Sequence, residues 1–225
     1  MKGAVSRIPV IGSIYTHLYR VVRRFPGSEE FWIRRYNAGG TSGAGSYHKL
    51  AAFKAEIIND FVERNNIISV IEFGCGDGNQ LKLAEYQSYI GFDISQKALS
   101  ICKYIFHDDK TKIFKLMNEY NGETADLALS LDVIYHLVED SVYHSYMERL
   151  FNASEQFVII YSSNYEKKQQ YHEKHRQFSK WVETNRPHWK LIQHIPNRFP
   201  YDSSNQEGSL CDFYIYVKPC KSLSA

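Results

Sequence analysis

The chain has 225 residues, and its charge is nearly balanced, because 27 lysines and arginines stand against 25 aspartates and glutamates. This length suits one domain with a substantial core. The balance gives no electrostatic case for nucleic acid as a partner, since proteins that bind nucleic acid usually carry a marked basic stripe. Four cysteines without a Cys-x-x-Cys pair indicate neither a zinc site nor a disulfide framework, so we expect reduced thiols and a cytoplasmic location.

The first segment, residues 1–26, predicts a basic amphipathic helix that precedes the main domain, residues 27–225. Its apolar positions share one helical face and its basic residues add positive charge: Ile11, Ile14, Tyr15, Leu18, Val22 and Phe25, with Lys2, Arg7, Arg20, Arg23 and Arg24. Such a helix can lie on an anionic membrane surface or contact a partner protein. Packing on the domain, or linking it to a fused neighbour, is an equally good interpretation. The segment is too short and too polar to span a bilayer, and it lacks the cleavage site of a signal peptide.

A cluster of glycine and serine, residues 39–46, follows the aromatic segment 31–36. The cluster contains Gly-x-x-x-x-Gly, but Ser46 and Tyr47 replace the Lys-Ser/Thr pair of a phosphate-binding loop, and no strand precedes it. We therefore predict a mobile loop beside a ligand. An apolar stripe then indicates a helix over residues 46–66.

From residue 67 onward, predicted strands and helices alternate. The strands span residues 67–73, 88–93, 112–116, 125–131 and 157–161, and the helices lie near residues 79–86, 95–106 and 139–152. This alternation predicts a parallel sheet with helices on both faces. A polar helix at residues 165–185 and two further strands, at residues 189–195 and 212–217, are predicted after it.

Residues 69–78 form the most informative segment: an apolar strand followed by the turn Gly-Cys-Gly-Asp-Gly, with Asp93 at the end of the next apolar strand. This order is typical of the nucleotide-binding half of a doubly wound fold. A dinucleotide site needs Gly-x-Gly-x-x-Gly, whereas the third glycine here comes one residue early, and the carboxylates of Glu72 and Asp77 would repel phosphate. The acidic turn suits S-adenosylmethionine, which carries an ammonium group and two ribose hydroxyls within reach of Asp93. A tight turn without a ligand is the alternative, and the strand context makes it the weaker one.

Residues 70–78 resemble motif I of the class I S-adenosylmethionine-dependent methyltransferases, and residues 89–95 resemble the segment after their second strand. The resemblance implies an α/β fold with a doubly wound, Rossmann-like sheet of seven strands, mostly parallel with an antiparallel last strand. It also implies S-adenosylmethionine as the cofactor. Because ligands of such sheets bind at the carboxyl ends of the strands, we expect cofactor contacts from Glu72, Gly74, Gly76, Asp77, Asp93, Ile94, Asn118 and Leu131.

The segment after the fourth strand carries the residues that we expect to act on the acceptor. Histidine suits proton transfer at neutral pH, and His136 lies four residues after Asp132, so one helical turn would bring both to the mouth of the cleft. We predict His136 as the general base, with Asp132 orienting it or contacting the acceptor. A histidine that only caps the cofactor or packs against it is the alternative. Further acceptor contacts are expected from Tyr47, Tyr135, Ser163 and Asn164.

No metal site is predicted from the sequence. His172 and His175 flank Glu173, but the spacing is not His-Glu-x-x-His, so a solvated helix face is the favoured interpretation. Some sugar methyltransferases use a divalent ion, yet no cluster of carboxylates in the sequence indicates where one would bind.

Residues 31–47, 53–61 and 130–137 resemble a subgroup of these methyltransferases that is associated with bacterial and viral glycan assembly, and the similarity extends over residues 31–217. Some members are fused to glycosyltransferases or encoded beside them. The resemblance therefore implies a sugar hydroxyl as acceptor and a glycosyltransferase as a partner of the N-terminal helix. Transfer to a small natural product or an amine, and a non-catalytic cofactor-binding module, are the alternative interpretations.

Overall fold

The computed structural model describes residues 25–204 and 208–219. The helices are α1 (Ser28–Asn37), α2 (His48–Arg64), α3 (Gln96–Ile105), α4 (Asp140–Asn152) and α5 (Phe178–Asn185). The strands are β1 (Ser69–Phe73), β2 (Ser88–Asp93), β3 (Lys112–Leu116), β4 (Ala125–Leu131), β5 (Ser154–Ser162), β6 (Lys190–Ile195) and β7 (Asp212–Val217). The helix predicted over residues 1–26 lies outside the described ranges, except for its last two residues. No helix within these ranges is long and apolar enough to cross a bilayer.

The seven strands form one sheet in the order β3-β2-β1-β4-β5-β7-β6. Strands β1 to β5 pair in parallel with one another, whereas β7 runs antiparallel to both β5 and β6. The predicted fold class, a doubly wound and mostly parallel sheet with an antiparallel last strand, is therefore confirmed. The strand order reverses between β1 and β4, and ligands of doubly wound folds bind at such a switch point.

The central strands form because their residues are apolar on both faces. In β4, Leu127 and Leu129 belong to a buried cluster that includes Phe61 of α2. Ala128 points to the other face and packs in a cluster with Met147 of α4. Full burial of a leucine-sized side chain stabilises a fold by roughly 1.5–3 kcal/mol, so the sheet is a firm platform for the loops at the switch point.

Two predicted helices differ from the structure. The segment predicted as a helix near residues 79–86 contains one 3-10 turn, Gln80–Leu83, which ends where Ala84 adopts an extended conformation. The polar helix predicted at residues 165–185 is helical only in its last part, over α5.

Residues 163–177 form an irregular loop in place of the rest of that helix. Gln170 and Glu173 exchange backbone hydrogen bonds across a tight turn. The guanidinium of Arg176 donates to two backbone carbonyl oxygens in the segment after β4, at 2.7 and 2.8 Å. These tertiary contacts outweigh the helical propensity of the sequence, and they bring the loop to the edge of the switch point.

Candidate active site

A cavity of about 850 Å³ opens at the carboxyl ends of β1, β2, β3 and β4. Its walls also include residues of α1 and of the loop before α2. The predicted site residues that line it are Glu72, Gly74, Gly76, Asp93, Ile94, Asn118, Leu131, Asp132 and His136.

The glycine-rich turn follows β1 and closes against β2. Gly74 and Gly76 have φ values of 84° and 59°, in the left-handed region that glycine adopts without strain. The backbone N–H of Gly76 donates to Oδ2 of Asp93 at 3.0 Å. A side chain at Gly76 would come within 2.3 Å of the Ser42 hydroxyl. The glycine therefore allows the loop before α2 to approach the turn.

Two buried carboxylates, those of Glu72 and Asp93, line the cavity beside the turn. Burial raises the pKa of Glu72 to about 7, although a hydrogen bond from the Tyr89 hydroxyl, at 2.6 Å, opposes this rise. Burial likewise raises the pKa of Asp93 to about 6, against hydrogen bonds from the backbone N–H groups of Ser95 and Gly76. A ligand that brings a positive charge or hydroxyl donors would offset the cost of burying these charges.

The loop of residues 39–46 is tied to the turn through Asp77. Oδ2 of Asp77 accepts from the backbone N–H of Ser42 at 3.0 Å and from the Tyr47 hydroxyl at 2.8 Å. The backbone N–H of Asp77 donates in return to the Ser42 hydroxyl at 3.0 Å. Neither Asp77 nor Tyr47 lines the cavity. Both residues hold the loop in place, and their predicted contacts to cofactor and acceptor stay predictions.

Asp132 follows β4 with a φ of 59° and forms an ion pair with Lys54 of α2, at 2.7 Å between Oδ2 and Nζ. Its Oδ1 accepts from the Tyr135 hydroxyl at 3.2 Å. Among the described residues, no hydrogen bond joins Asp132 to His136, so the orienting contact that the sequence predicts is not formed. The carboxylate instead neutralises a fully buried ammonium group.

The sequence analysis missed Lys54. The residue lies four positions after Leu50 and four before Ile58, and all three are buried in α2. Because a lysine is almost never fully buried unless it is paired, its place in the apolar stripe was the signal for a hidden carboxylate partner.

His136 ends a 3-10 turn, Ile134–His136, and lines the cavity. Its Nδ1 lies 3.2 Å from the backbone oxygen of His172. Because that oxygen can only accept, the hydrogen of the neutral ring is on Nδ1 and the lone pair on Nε2. Burial lowers the pKa of His136 to about 4, so the ring is neutral near pH 7. Trp32 packs against this ring in an edge arrangement, with 4.9 Å between ring centroids.

Three predicted acceptor contacts, Tyr135, Ser163 and Asn164, do not line the cavity. The Ser163 hydroxyl forms a hydrogen bond with Nδ1 of His175 at 2.6 Å. Asn164 accepts from the backbone N–H of Ser179 in the first turn of α5, at 3.1 Å. Ser163 and Asn164 thus form hydrogen bonds with other residues of the protein. Their position directly after β5 does not place them on the cavity wall.

Helix α1 contributes cavity residues that the sequence analysis did not identify, among them Ser28, Trp32 and Tyr36. The Ser28 hydroxyl donates to Oε2 of Glu139 at 2.6 Å and accepts from the N–H of Val138 at 2.8 Å. These bonds fasten the start of α1 to the segment after β4. The two aromatic residues, one helical turn apart, were a weak signal, because nothing local connects α1 to a segment 110 residues later.

The cavity is acidic as a whole. Lys54 and Arg149 are its two basic residues, and they face six carboxylates, those of Glu29, Glu30, Glu72, Asp93, Asp132 and Glu139. Because like charges repel, the walls favour a neutral or cationic ligand over one that carries several phosphates.

The sequence pattern of the family described as "Methyltransferase domain" matches residues 47–204, which is more than half of the chain. The chain belongs to this methyltransferase family. The matched region contains the glycine-rich turn, Asp93 and the segment after β4 that carries His136. The protein is an S-adenosylmethionine-dependent methyltransferase, and the predicted cofactor is confirmed.

Solved structures with the same fold include other methyltransferases. The N-methyltransferase NodS from Bradyrhizobium japonicum WM9, in complex with S-adenosyl-L-homocysteine, is 10% identical with a TM-score of 0.65, over 86% of this chain and 100% of that one. Magnesium protoporphyrin IX methyltransferase (ChlM) from Synechocystis PCC 6803 is 14% identical with a TM-score of 0.58, over 89% of this chain and 100% of that one. The methyltransferase domain of bacterial CtHen1 is 19% identical with a TM-score of 0.59, over 75% and 98%. No protein of the curated set matches the chain. Identities this low support a shared fold alone.

Proposed function

We propose that this methyltransferase transfers the methyl group of S-adenosylmethionine to an oxygen atom, namely a sugar hydroxyl of a glycan under assembly. The observation that carries the proposal is a neutral His136 on the cavity wall, with its lone pair on Nε2. A hydroxyl acceptor needs a group that takes its proton, and a neutral imidazole can do so. The choice of a sugar rests on the resemblance of residues 31–47 and 130–137 to the glycan-assembly subgroup.

In the proposed complex the cofactor lies along the glycine-rich turn, with its ribose hydroxyls donating to Asp93 and its ammonium group near Glu72. These two carboxylates are buried and would gain favourable partners. The remaining cofactor contacts come from the ends of β1, β2, β3 and β4, through Gly74, Gly76, Ile94, Asn118 and Leu131. The acceptor then occupies the part of the cavity lined by Trp32, Asp132 and His136.

Methyl transfer is an in-line displacement, so the acceptor oxygen must be aligned with the methyl carbon. The oxygen forms the new C–O bond, the C–S bond breaks with its electron pair moving to sulfur, and the hydroxyl proton passes to Nε2 of His136. The proton becomes strongly acidic as the C–O bond forms, so a base whose pKa is about 4 suffices. Asp132, held by Lys54, would accept a hydrogen bond from a second hydroxyl of the sugar.

The variant His136→Ala tests the proposed base. We expect kcat to fall by about 10²-fold, with the Kd for S-adenosylmethionine unchanged, because His136 serves the acceptor and not the cofactor. Labelled cofactor and a panel of glycan acceptors supply the assay, with products identified by mass spectrometry and NMR. His107→Ala, which alters an exposed histidine, should behave as the wild type. Unchanged turnover in His136→Ala would end the general-base proposal.

The acceptor panel also separates the alternatives. A neutral amine needs no base, so an amine that His136→Ala methylates as fast as the wild type would favour an amine or small natural product as substrate. Tight cofactor binding without transfer to any acceptor would favour a non-catalytic module. One solved structure of this fold is described as small RNA methyltransferase HEN1, so the panel includes a short RNA. We propose that nucleic acid is not a substrate, because the acidic cavity repels phosphates.

For residues 1–26 we propose a peripheral contact, with the cytoplasmic face of an anionic membrane or with a glycosyltransferase bound there. The proposal rests on the basic amphipathic pattern of this segment. Flotation with anionic liposomes, with and without residues 1–26, measures the membrane contact. We expect the full chain to float with the liposomes and the chain without residues 1–26 to stay behind. Equal flotation of both forms would contradict the proposal.

A further inference from the structure

A group of metal-ligating side chains meets at His136, which lines the cavity. His172 and Glu173 lie beside it and are not part of the cavity wall. One ring nitrogen each of His136 and His172 and one carboxylate oxygen of Glu173 lie within 4.8 Å of one another. Nε2 of His172 is 3.7 Å from Oε1 of Glu173. The first residue follows β4, whereas the other two belong to the irregular loop of residues 163–177. The fold, and not local sequence, assembles this group.

The loop that carries His172 and Glu173 is fixed by contacts outside the group. The N–H of Lys174 donates to the backbone oxygen of Tyr135 at 2.8 Å, and the Arg176 guanidinium binds two carbonyl oxygens after β4. The His172 ring stacks on Phe31 of α1, with 4.5 Å between ring centroids. The backbone of the loop is therefore held in place before any ligand binds, which lowers the entropic cost of binding.

Two of the three residues, His136 and Glu173, have outer contacts of the kind that support metal ligands. The Nδ1–H of His136 donates to a backbone oxygen, as described above. Nε2 of His175 lies 3.9 Å from Oε2 of Glu173, and its Nδ1 forms a hydrogen bond with the Ser163 hydroxyl. Imidazole ligands in metal sites almost always donate their second N–H to a carbonyl, carboxylate or water, which fixes the ring and leaves one lone pair for the ion.

We propose that His136, His172 and Glu173 bind one divalent transition-metal ion, of the class of Zn²⁺, Mn²⁺ or Co²⁺. Two imidazoles and one carboxylate are a ligand set of open zinc sites, and they suit the neighbouring divalent metals as well. Ligand atoms about 2.1 Å from a tetrahedral ion lie roughly 3.4 Å apart. The rings of His136 and His172 are stacked with 5.2 Å between centroids, so the rings would have to turn for both lone pairs to meet one ion. Three protein ligands would leave at least one position of the ion free for water or for the acceptor.

The role of the ion in catalysis rests on the proposed function, whereas its binding rests on the three ligands alone. A metal ion at this place would polarise the acceptor hydroxyl and make its proton easier to remove. The same lone pair of His136 cannot both ligate an ion and accept the proton, so in the metal-bound protein the acceptor proton would pass to solvent water, and His136 would act as the base only in the metal-free protein. Binding and transfer are therefore measured separately.

Metal binding is measured on the full-length chain by titration calorimetry with ZnCl₂, MnCl₂ and CoCl₂ after chelator treatment, together with elemental mass spectrometry. We expect one ion per chain, bound at least about tenfold more weakly by His172→Ala and by Glu173→Gln. The matched control is His107→Ala, because His107 also lies beside an acid, 2.9 Å from Oδ2 of Asp108, but outside the group. Its affinity should equal that of the wild type.

Thermal melting and cofactor binding establish that each variant folds. A wild type that binds none of the three ions at about 1 mM, or that binds them no better than the folded variants, would overturn the inference. Chelator-insensitive transfer by protein shown to bind no metal would overturn it too and leave O-methylation intact. Metal binding without methyl transfer to any acceptor would support the metal site and contradict the proposed O-methylation.

Discussion

The acceptor end of the cavity depends, at the scale of single residues, on the buried ion pair of Lys54 and Asp132. Lys54→Met leaves the carboxylate without its cation, and removing one partner of a buried pair costs about 3–5 kcal/mol. Asp132 keeps the hydrogen bond from Tyr135 and its side chain is 13% exposed. We therefore expect the free energy of unfolding to fall by about 3 kcal/mol, at the lower end of that range, as measured by urea unfolding.

Two further variants make this prediction specific. The double variant Lys54→Met with Asp132→Asn should be more stable than Lys54→Met alone, because no unpaired charge remains buried. Arg64→Met breaks the exposed ion pair with Asp60 on the same helix and should change stability by at most about 0.5 kcal/mol. A single variant as stable as the wild type would show that the Asp132 carboxylate does not need its cation.

Asp93 gives cofactor binding a dependence on pH. Ribose hydroxyls donate to the ionised carboxylate, and the pKa of Asp93 in the free protein is about 6, so protons compete with the cofactor as the pH falls. Glu72, whose pKa is about 7, contributes with the same sign. We expect the Kd for S-adenosylmethionine to rise below about pH 7, by up to about tenfold per pH unit for each carboxylate.

Calorimetry across this pH range measures the effect. Asp93→Asn should bind the cofactor more weakly and should lose the part of the pH dependence centred near the Asp93 pKa, because an amide does not titrate there. A wild-type Kd that stays constant down to about pH 5 would contradict the proposed contact.

At the scale of elements, one carboxylate joins the loop of residues 39–46 to the glycine-rich turn. Asp77→Ala removes the acceptor for two hydrogen bonds from the loop, donated by the Ser42 N–H and the Tyr47 hydroxyl, and for one within the turn, donated by the Asn79 N–H. Each is worth about 1 kcal/mol. We expect faster hydrogen exchange in the loop and weaker cofactor binding, because Ser42 and Ser46 line the cavity. Tyr47→Phe removes one of the two bonds from the loop and should give a smaller change in both measurements. Exchange at the wild-type rate in Asp77→Ala would contradict this account of the loop.

Elements whose signals are local could be predicted from the sequence. Strands β1 and β4 are apolar runs buried on both faces, and the turn at Gly76 meets Asp93 only 17 residues later. The loop of residues 163–177 could not be predicted, because its course depends on contacts of Arg176 with a segment 38 residues earlier. The pairing of Lys54 with Asp132 spans 78 residues and left only an indirect trace, a lysine in an apolar stripe.

At the scale of the whole molecule, cofactor binding should raise thermal stability. A ligand at about 100 times its Kd stabilises the native state by about 2.7 kcal/mol. In a chain of this size each kcal/mol raises Tm by about 2–4 °C, so S-adenosylmethionine should raise Tm by roughly 5–11 °C in a melting assay. NAD and ATP should give no comparable shift, because their phosphates would meet the carboxylates around the turn. An equal shift with NAD would contradict the assignment of the turn.

The two ends of the cavity differ in how far along the chain their parts are separated. The residues proposed to bind the cofactor lie between Glu72 and Leu131, whereas the acceptor end unites α1, α2 and the segment after β4, from Ser28 to Glu139. Contacts between distant segments pay their loop-closure entropy first and form late in folding. They also open early in partial unfolding. When the protein begins to unfold, the part of the cavity that receives the methyl group is therefore expected to open before the part that binds the methyl donor.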